Sequence, residues 1–194
     1  MPLVLCNIGL VIDQITDDSG GLLAALTVGH PITGQFQYDT RATASSPGSY
    51  DLPTDAGRNF ISLDAGHGIT WRNGSSMRVD VGNNAAGRGM DGMAFVVGAA
   101  DFSVSVPIDP SLPPSPENVK CAFQLFFRDP TGRALSGTSD ALPTHFPAFT
   151  AWTADTDPID ILDGMVGGHI EIDNGNPVRQ AYQVLAHVTS VSPA

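Results

Sequence analysis

Turn-forming sequences interrupt this chain so often that long helices have little room to form. They occur at 17–21, 45–48, 73–75, 82–84, 129–132 and 173–177. Each contains Gly, Asn, Asp or Pro, which are the residues that turns require for positive or preset φ angles. The segments between them are short and apolar, or they alternate polar with apolar residues, as at 35–38 and 78–81. A period of two is typical of half-buried β-strands, so the chain is predicted to be all-β.

The strand-like runs are numerous and evenly spaced along the chain. They are predicted at 3–16, 31–38, 59–64, 68–73, 76–82, 92–98, 101–106, 119–127, 159–163, 167–173 and 180–191. This spacing favours two antiparallel sheets packed as a jelly-roll-like β-sandwich. The first and last runs are expected to lie side by side. A length of 194 residues suits one domain, so 1–194 is predicted to be a single β-sandwich.

Two irregular segments separate the strand-like runs. The first, 109–116, is rich in proline and is expected to cross the end of the sandwich in an extended form. The second, 139–158, carries four large apolar side chains, those of Leu142, Phe146, Phe149 and Trp152. A long loop with this composition usually packs on an edge of the core, so the segment is predicted to cover the sandwich.

The net charge of the chain argues against nucleic acid as a binding partner. Nine Lys and Arg residues stand against 20 Asp and Glu residues, which gives a net charge of −11. Nearly all the acids are Asp, a turn residue, so the excess reflects the turn-rich architecture first. A phosphate backbone requires clustered cations, and therefore no nucleic-acid partner is predicted. No run approaches the roughly 18 apolar residues of a membrane-spanning helix, so the chain is not expected to cross a membrane.

The two cysteines, Cys6 and Cys121, lie far apart in apolar runs and lack the paired spacing of zinc or redox sites. Two readings remain open for them. They are either buried free thiols or the two halves of a disulfide, which would join the first strand to the middle of the chain and imply an oxidising location.

Motifs of familiar catalytic sites are missing from the sequence. It contains neither a Gly-x-Ser-x-Gly elbow nor a His-Glu-x-x-His helix, and its five histidines have no ligand spacing. The histidines are His30, His67, His145, His169 and His187. No catalytic residue and no cofactor-binding residue is assigned, and the chain is predicted not to be an enzyme.

The sequence offers candidate residues for a metal site and for a sugar-binding site, without a complete motif for either. Calcium prefers carboxylate oxygens, and the Asp-rich stretch at 155–160 offers Asp155, Asp157 and Asp160 as candidate ligands. The stretch lacks the Asp-x-Asp-x-Asp-Gly pattern, which favours the alternative that these acids are solvated turn residues. No cofactor other than Ca²⁺ is predicted. Trp71 and Trp152 are the candidate platform for stacking on a sugar ring, against the alternative that both are core residues.

Several segments, in order, carry a family resemblance. They are TVGHPITGQFQYDT (27–40), VDVGNN (79–84), DGM (91–93) and FQLFFRDPTGRALSGTSDALP (123–143). Together they resemble bacterial secreted proteins of the PEP-CTERM class. The chain shows no evident signal peptide, and its end, 191–194, lacks the C-terminal sorting anchor of that class. It is therefore expected to be a trimmed mature protein, a shortened chain or a relative recruited into an assembly.

The resemblance implies a secreted β-rich domain of surface or matrix character. The first hypothesis is a non-enzymatic extracellular or cell-surface structural protein that assembles with itself or with other surface-assembly subunits. Mildly polar strand faces would suit such contacts, because covering them desolvates few ions. The alternatives are a carbohydrate-binding module for exopolysaccharide and a small β-barrel enzyme, of cyclase or lyase type, without a recognisable motif.

Overall fold

The computed structural model describes residues 3–17, 23–54, 57–74, 76–83, 91–103, 119–129, 131–135, 139–152, 165–172 and 180–194. The strands of this part of the chain are β1 (Leu3–Asp17), β2 (Pro31–Asp39), β3 (Ser49–Pro53), β4 (Phe60–Asp64), β5 (Thr70–Asn73), β6 (Ser76–Gly82), β7 (Asp91–Ser103), β8 (Val119–Asp129), β9 (Met165–Ile172) and β10 (Gln180–Pro193). A short 3₁₀ turn lies at Phe149–Ala151.

All neighbouring strands pair antiparallel, in the order β3-β6-β7-β5-β4-β2-β1-β10-β9-β8, and β7 also pairs with β8. The long strand β7 joins the two layers. Its first half pairs with β6 and its second half with β5, and its register against β8 shifts between Val97 and Ala100. The result is two antiparallel sheets packed against each other, so the predicted all-β sandwich is confirmed. The expected pairing of the first and last strands is also observed, between β1 and β10.

Apart from shifts of one or two residues at the ends of other strands, two strands differ from the sequence prediction. The prediction missed β3, because Tyr50 and Leu52 alternate with only one exposed residue before Pro53 ends the run. It also divided β7 into two runs, 92–98 and 101–106, whereas the structure has one strand that bends at its register shift. The predicted strand at 159–163 and the proline-rich segment 109–116 lie outside the described residues.

An aromatic cluster fills the space between the layers. Phe36 of β2 is fully buried, and its ring centre lies 4.8 Å from that of Phe95 in β7. Phe127 of β8 packs 6.3 Å from both rings. Phe146 and Trp152 close the cluster, at 4.8 and 5.8 Å from Phe127. Within 139–152, the prediction that this loop covers the core is therefore confirmed.

Within the described ranges, the structure contains no helix of the length and apolar character that crossing a membrane would require.

Candidate functional site

The outer side of β5, β4, β2, β1 and β10 forms one continuous surface, which we call the polar sheet face. Two rows of directly opposed residues cross it at right angles to the strands. The first row is Arg72, Ser62, Gln35, Asn7 and Ser192. The second row, two residues along each strand, is Thr70, Asp64, Thr33, Gly9 and Ser190.

The strand pleat explains why these side chains point outward. In β1 the buried residues Cys6, Ile8 and Leu10 alternate with Asn7 and Gly9, and the other strands of the face alternate in the same way. The antiparallel register then sets polar residues opposite each other, except at Gly9, which faces Thr33 and Ser190. One such pair is linked directly, because Gln35 donates a 2.8 Å hydrogen bond from its Nε2 to Oδ1 of Asn7.

A shallow groove of about 460 Å³ runs between the two rows. The groove passes over Gly9, which has no side chain to fill it. A Cβ at Gly9 would lie 2.7 Å from Oγ of Ser190, so the glycine is needed for the Ser190 hydroxyl to sit there. Four strand spacings of about 4.8 Å give the groove a length of about 19 Å. Its lining offers amide, hydroxyl, guanidinium and carboxylate groups for hydrogen bonding.

The electrostatics of this face differ from those of the whole chain. Arg72 and Asp64 are the two residues of the rows with a formal charge, and these charges are opposite in sign. The complete chain, in contrast, carries a net charge of −11. The two rows therefore form a formally neutral, hydrogen-bonding patch on an acidic protein.

The two tryptophans do not form the predicted stacking platform. Trp71 of β5 and Trp152 are each only 4% exposed, and both belong to the core between the sheets. The period-two alternation of β5 turns the Trp71 indole inward and leaves Arg72 outward. Trp152 packs on Phe127 and Phe146, so neither indole is presented to a sugar.

The calcium prediction lies beyond what the structure describes. Asp155, Asp157 and Asp160 are all outside the described residues, so their role stays a prediction. In the described part of the chain, no group of three or more His, Cys, Asp or Glu side chains is placed to hold a metal ion.

The cysteines are only partly described. Cys6 lies in β1 as a buried free thiol, and burial raises its pKa to about 11. At neutral pH it is thus an inert thiol and not a nucleophile. Cys121 lies in β8, and its side chain is outside the described part of the structure.

The pKa values of Tyr38 and Asp39 are shifted strongly from their ordinary values, in opposite directions. Burial raises the pKa of Tyr38, as does the nearby Cys6 charge, and its hydroxyl donates to the carbonyl of Pro143. Asp39 lies on the rim of an open hollow of about 540 Å³ that also contains Asp51 and Arg58. The hydrogen-bonded guanidinium of Arg41 lowers the pKa of Asp39 to about 2. Neither group is suited to general acid or base catalysis near neutral pH.

A buried acid pair holds the loop after β8. Asp91 and Asp129 are opposite each other in the β7–β8 ladder, and each is only 1% exposed. Asp129 accepts hydrogen bonds from the hydroxyl and backbone N–H of Thr131 and from the N–H groups of Arg133 and Ala134. Oδ2 of Asp91 accepts from the N–H of Leu135. These hydrogen bonds hold the loop 131–135 against the end of β8 and the start of β7, so the two carboxylates anchor the loop.

Sequence reasoning missed the polar sheet face. The alternation of Asn7, Gly9, Thr33 and Gln35 with buried residues is visible in the sequence. Nothing local, however, indicates that β1 lies between β2 and β10, or which residues are opposed. Predicting this face would have required the pairing register of β1 with β2 and β10, which local sequence does not give.

Comparison with protein-family models, with curated proteins and with solved structures found no match for this chain.

Proposed function

We propose that this chain is a non-enzymatic structural domain of an extracellular or cell-surface assembly, which associates with copies of itself or with other assembly subunits. The resemblance to PEP-CTERM-class secreted proteins led to this hypothesis, and the polar sheet face supports it. A partner that covers the two rows would desolvate few charges, because Arg72 and Asp64 are the formally charged residues in them.

The net negative charge of the chain also favours association through the polar sheet face. Two copies that meet through strongly acidic surfaces repel each other, whereas contact through a neutral face avoids much of that repulsion. The amides of Asn7 and Gln35 lie near the middle of the face and supply both donors and acceptors. A self-complementary contact can use each of them twice.

The first prediction concerns association in solution. Size-exclusion chromatography with light scattering should show species larger than the 20.3 kDa monomer as protein concentration rises. Gln35→Glu should shift the protein toward the monomer by at least tenfold in apparent dissociation constant, since a twofold contact would bring two carboxylates together. The matched control is Ser76→Glu, which adds the same charge at an exposed position of β6 in the other sheet.

Two results would contradict this proposal. One is a wild-type protein that stays monomeric at the highest attainable concentration. The other is association that Gln35→Glu and Ser76→Glu weaken equally, because general charge repulsion and not the polar sheet face would then be responsible. Circular dichroism melting curves establish that both variants are folded.

A second function is favoured by the groove. Carbohydrate recognition relies on planar amides, hydroxyls and charged groups that hydrogen-bond to sugar hydroxyls. Asn7, Gln35, Ser62 and Arg72 provide these groups along a groove about 19 Å long. An exopolysaccharide segment is therefore the alternative occupant of the polar sheet face, through hydrogen bonds and not through the two buried tryptophans.

Binding to a panel of immobilised neutral and acidic polysaccharides tests this alternative. If the groove binds glycan, Arg72→Ala and Asn7→Ala should each weaken binding at least tenfold, because each removes groove hydrogen bonds. Ser76→Ala serves as the matched control and should leave binding unchanged. Failure of the wild type to retain any polysaccharide, or equal binding by all variants, would eliminate the groove as a glycan site while leaving the assembly proposal untouched.

A further inference from the structure

Two histidines from separate loops meet at one end of the sheet that carries the polar face. His30 immediately precedes β2, and His67 lies in the tight connection between β4 and β5. Since β2 pairs with β4, with Thr33 opposite Asp64, the two loops emerge side by side. The imidazole ring centres are 5.5 Å apart and tilted by 43°.

Backbone hydrogen bonds hold both loops in place. The carbonyl of His30 accepts from the N–H of Ile12, and the His30 N–H donates to the carbonyl of Thr27. In the other loop, the N–H of Ala65 donates to the carbonyl of Ile69 at 3.0 Å, and the N–H of Ile69 donates to the carbonyl of Gly66 at 2.8 Å. Oδ1 of Asp64 accepts from the N–H of Gly66 at 2.7 Å. These bonds fix the backbone positions from which the two imidazoles project.

The hydrogen bond of His30 fixes the tautomer of its ring. Nε2 of His30 lies 2.6 Å from the carbonyl oxygen of Ala65. A carbonyl can only accept, so Nε2 carries the proton and the lone pair of the neutral ring is on Nδ1. Metal-ligating histidines usually donate their second N–H to a carbonyl or carboxylate in this way.

The backbone at His67 is unusual. Its φ of 53° makes it the one non-glycine residue with positive φ in the described part of the chain, and it lies between Gly66 (φ 72°) and Gly68 (φ 74°). A side chain in the left-handed region is disfavoured, and such outliers cluster at functional sites. Glycine would fit this turn more easily, so the imidazole is retained at a conformational cost.

From these three observations we propose that His30 and His67 form a two-histidine site for a divalent transition-metal ion, with the remaining coordination positions open to water or a ligand from outside the chain. Two imidazoles bound to one tetrahedral metal at about 2.0–2.1 Å have ring centres about 5 Å apart. The observed separation of 5.5 Å is close to this value. Imidazole nitrogen suits Cu²⁺, Ni²⁺ and Zn²⁺, and Cu²⁺ binds most tightly in this series. The inference is independent of the proposed function.

Copper titration by calorimetry tests the site in the complete chain. The wild type should bind one Cu²⁺ with micromolar affinity, and electron paramagnetic resonance should show coupling to two imidazole nitrogens. His67→Asn should weaken binding at least tenfold and leave one such nitrogen, because asparagine tolerates the left-handed backbone but offers poor ligands. His67→Gly, which removes the backbone penalty, should be at least as stable as the wild type and should lose the same affinity.

The chain offers matched controls. His145→Ala removes an exposed histidine from another loop, and His187→Ala removes one whose Nδ1 already lies 2.9 Å from the Asp13 carboxylate. Both should bind Cu²⁺ as the wild type does. The proposal is overturned if the wild type binds no Cu²⁺, if His67→Asn binds as tightly as the wild type, or if the spectrum shows a single imidazole nitrogen.

Discussion

Replacing Asp129 by alanine is expected to lower the free energy of unfolding by about 3 to 5 kcal/mol, because hydrogen bonds to a buried charged group contribute about 1.5 to 3 kcal/mol each and are only partly additive. The Asp129 carboxylate accepts four such bonds within the loop 131–135 and is almost completely buried. Without it, the N–H groups of Thr131, Arg133 and Ala134 lose their acceptor. Urea denaturation at pH 7 measures the change.

The lowered pKa of Asp129 also predicts that the free energy of unfolding depends on pH. Burial by itself would raise the pKa of Asp129, but the hydrogen bonds from Thr131, Arg133 and Ala134 outweigh it and hold the pKa below its ordinary value. A carboxyl with a lowered folded-state pKa stabilises the protein above its unfolded pKa of about 3.9, and that contribution is lost as the pH falls through the folded value. The difference in stability between the wild type and Asp129→Asn should therefore shrink between pH 7 and pH 3.

An exposed carboxylate supplies the control for both experiments. Within the described residues, the Asp140 carboxylate accepts one backbone bond, from the N–H of Asn83 to Oδ1. Asp140→Ala should cost about 1 kcal/mol or less, as expected for one exposed hydrogen bond. Equal losses for Asp129→Ala and Asp140→Ala would show that Asp129 is not the anchor of its loop.

Replacing Phe36 by alanine should lower the free energy of unfolding by about 3 to 5 kcal/mol, the range for removing a large buried aromatic ring. The Phe36 ring is 0% exposed and lies within 4.8 to 6.3 Å of Phe95, Phe127 and Phe146, so its loss leaves a cavity between the two sheets. Chemical denaturation followed by tryptophan fluorescence suits this measurement, because Trp152 belongs to the same cluster.

Two further variants separate cavity formation from general damage. Phe36→Leu keeps much of the volume and should cost about 1.5 kcal/mol or less. Phe60→Ala removes the same side chain from a half-buried position in β4, on the outer side of the sheet, and should cost clearly less than Phe36→Ala. If both alanine variants lost the same stability, Phe36 would not be a central contact between the layers.

The fold was largely accessible from local sequence patterns. Turn residues and period-two alternation predicted the antiparallel sandwich and most of its strands, since both signals act over a few residues. The five-residue strand β3 was missed because Tyr50 and Leu52 are too short a pattern. The bend of β7 was interpreted as a break because a register shift depends on the partner strand β8.

The functional surfaces were less accessible. Trp71 and Trp152 were predicted as a candidate platform, yet both are buried, because residue type alone does not say which face of a strand or loop meets the core. His30 and His67 were noted without any spacing that joined them. Their proximity depends on the pairing of β2 with β4.

The sequence by itself determined the class of architecture, the placement of turns and the acidic character of the chain. These follow from the φ preferences of Gly, Pro, Asn and Asp and from residue charge, which act locally. Tertiary structure alone decided the polar sheet face, the buried acid pair and the meeting of the two histidine loops. Each of these depends on which strands pair and in what register, and the free energy that selects the register comes from burying one face of every strand at once.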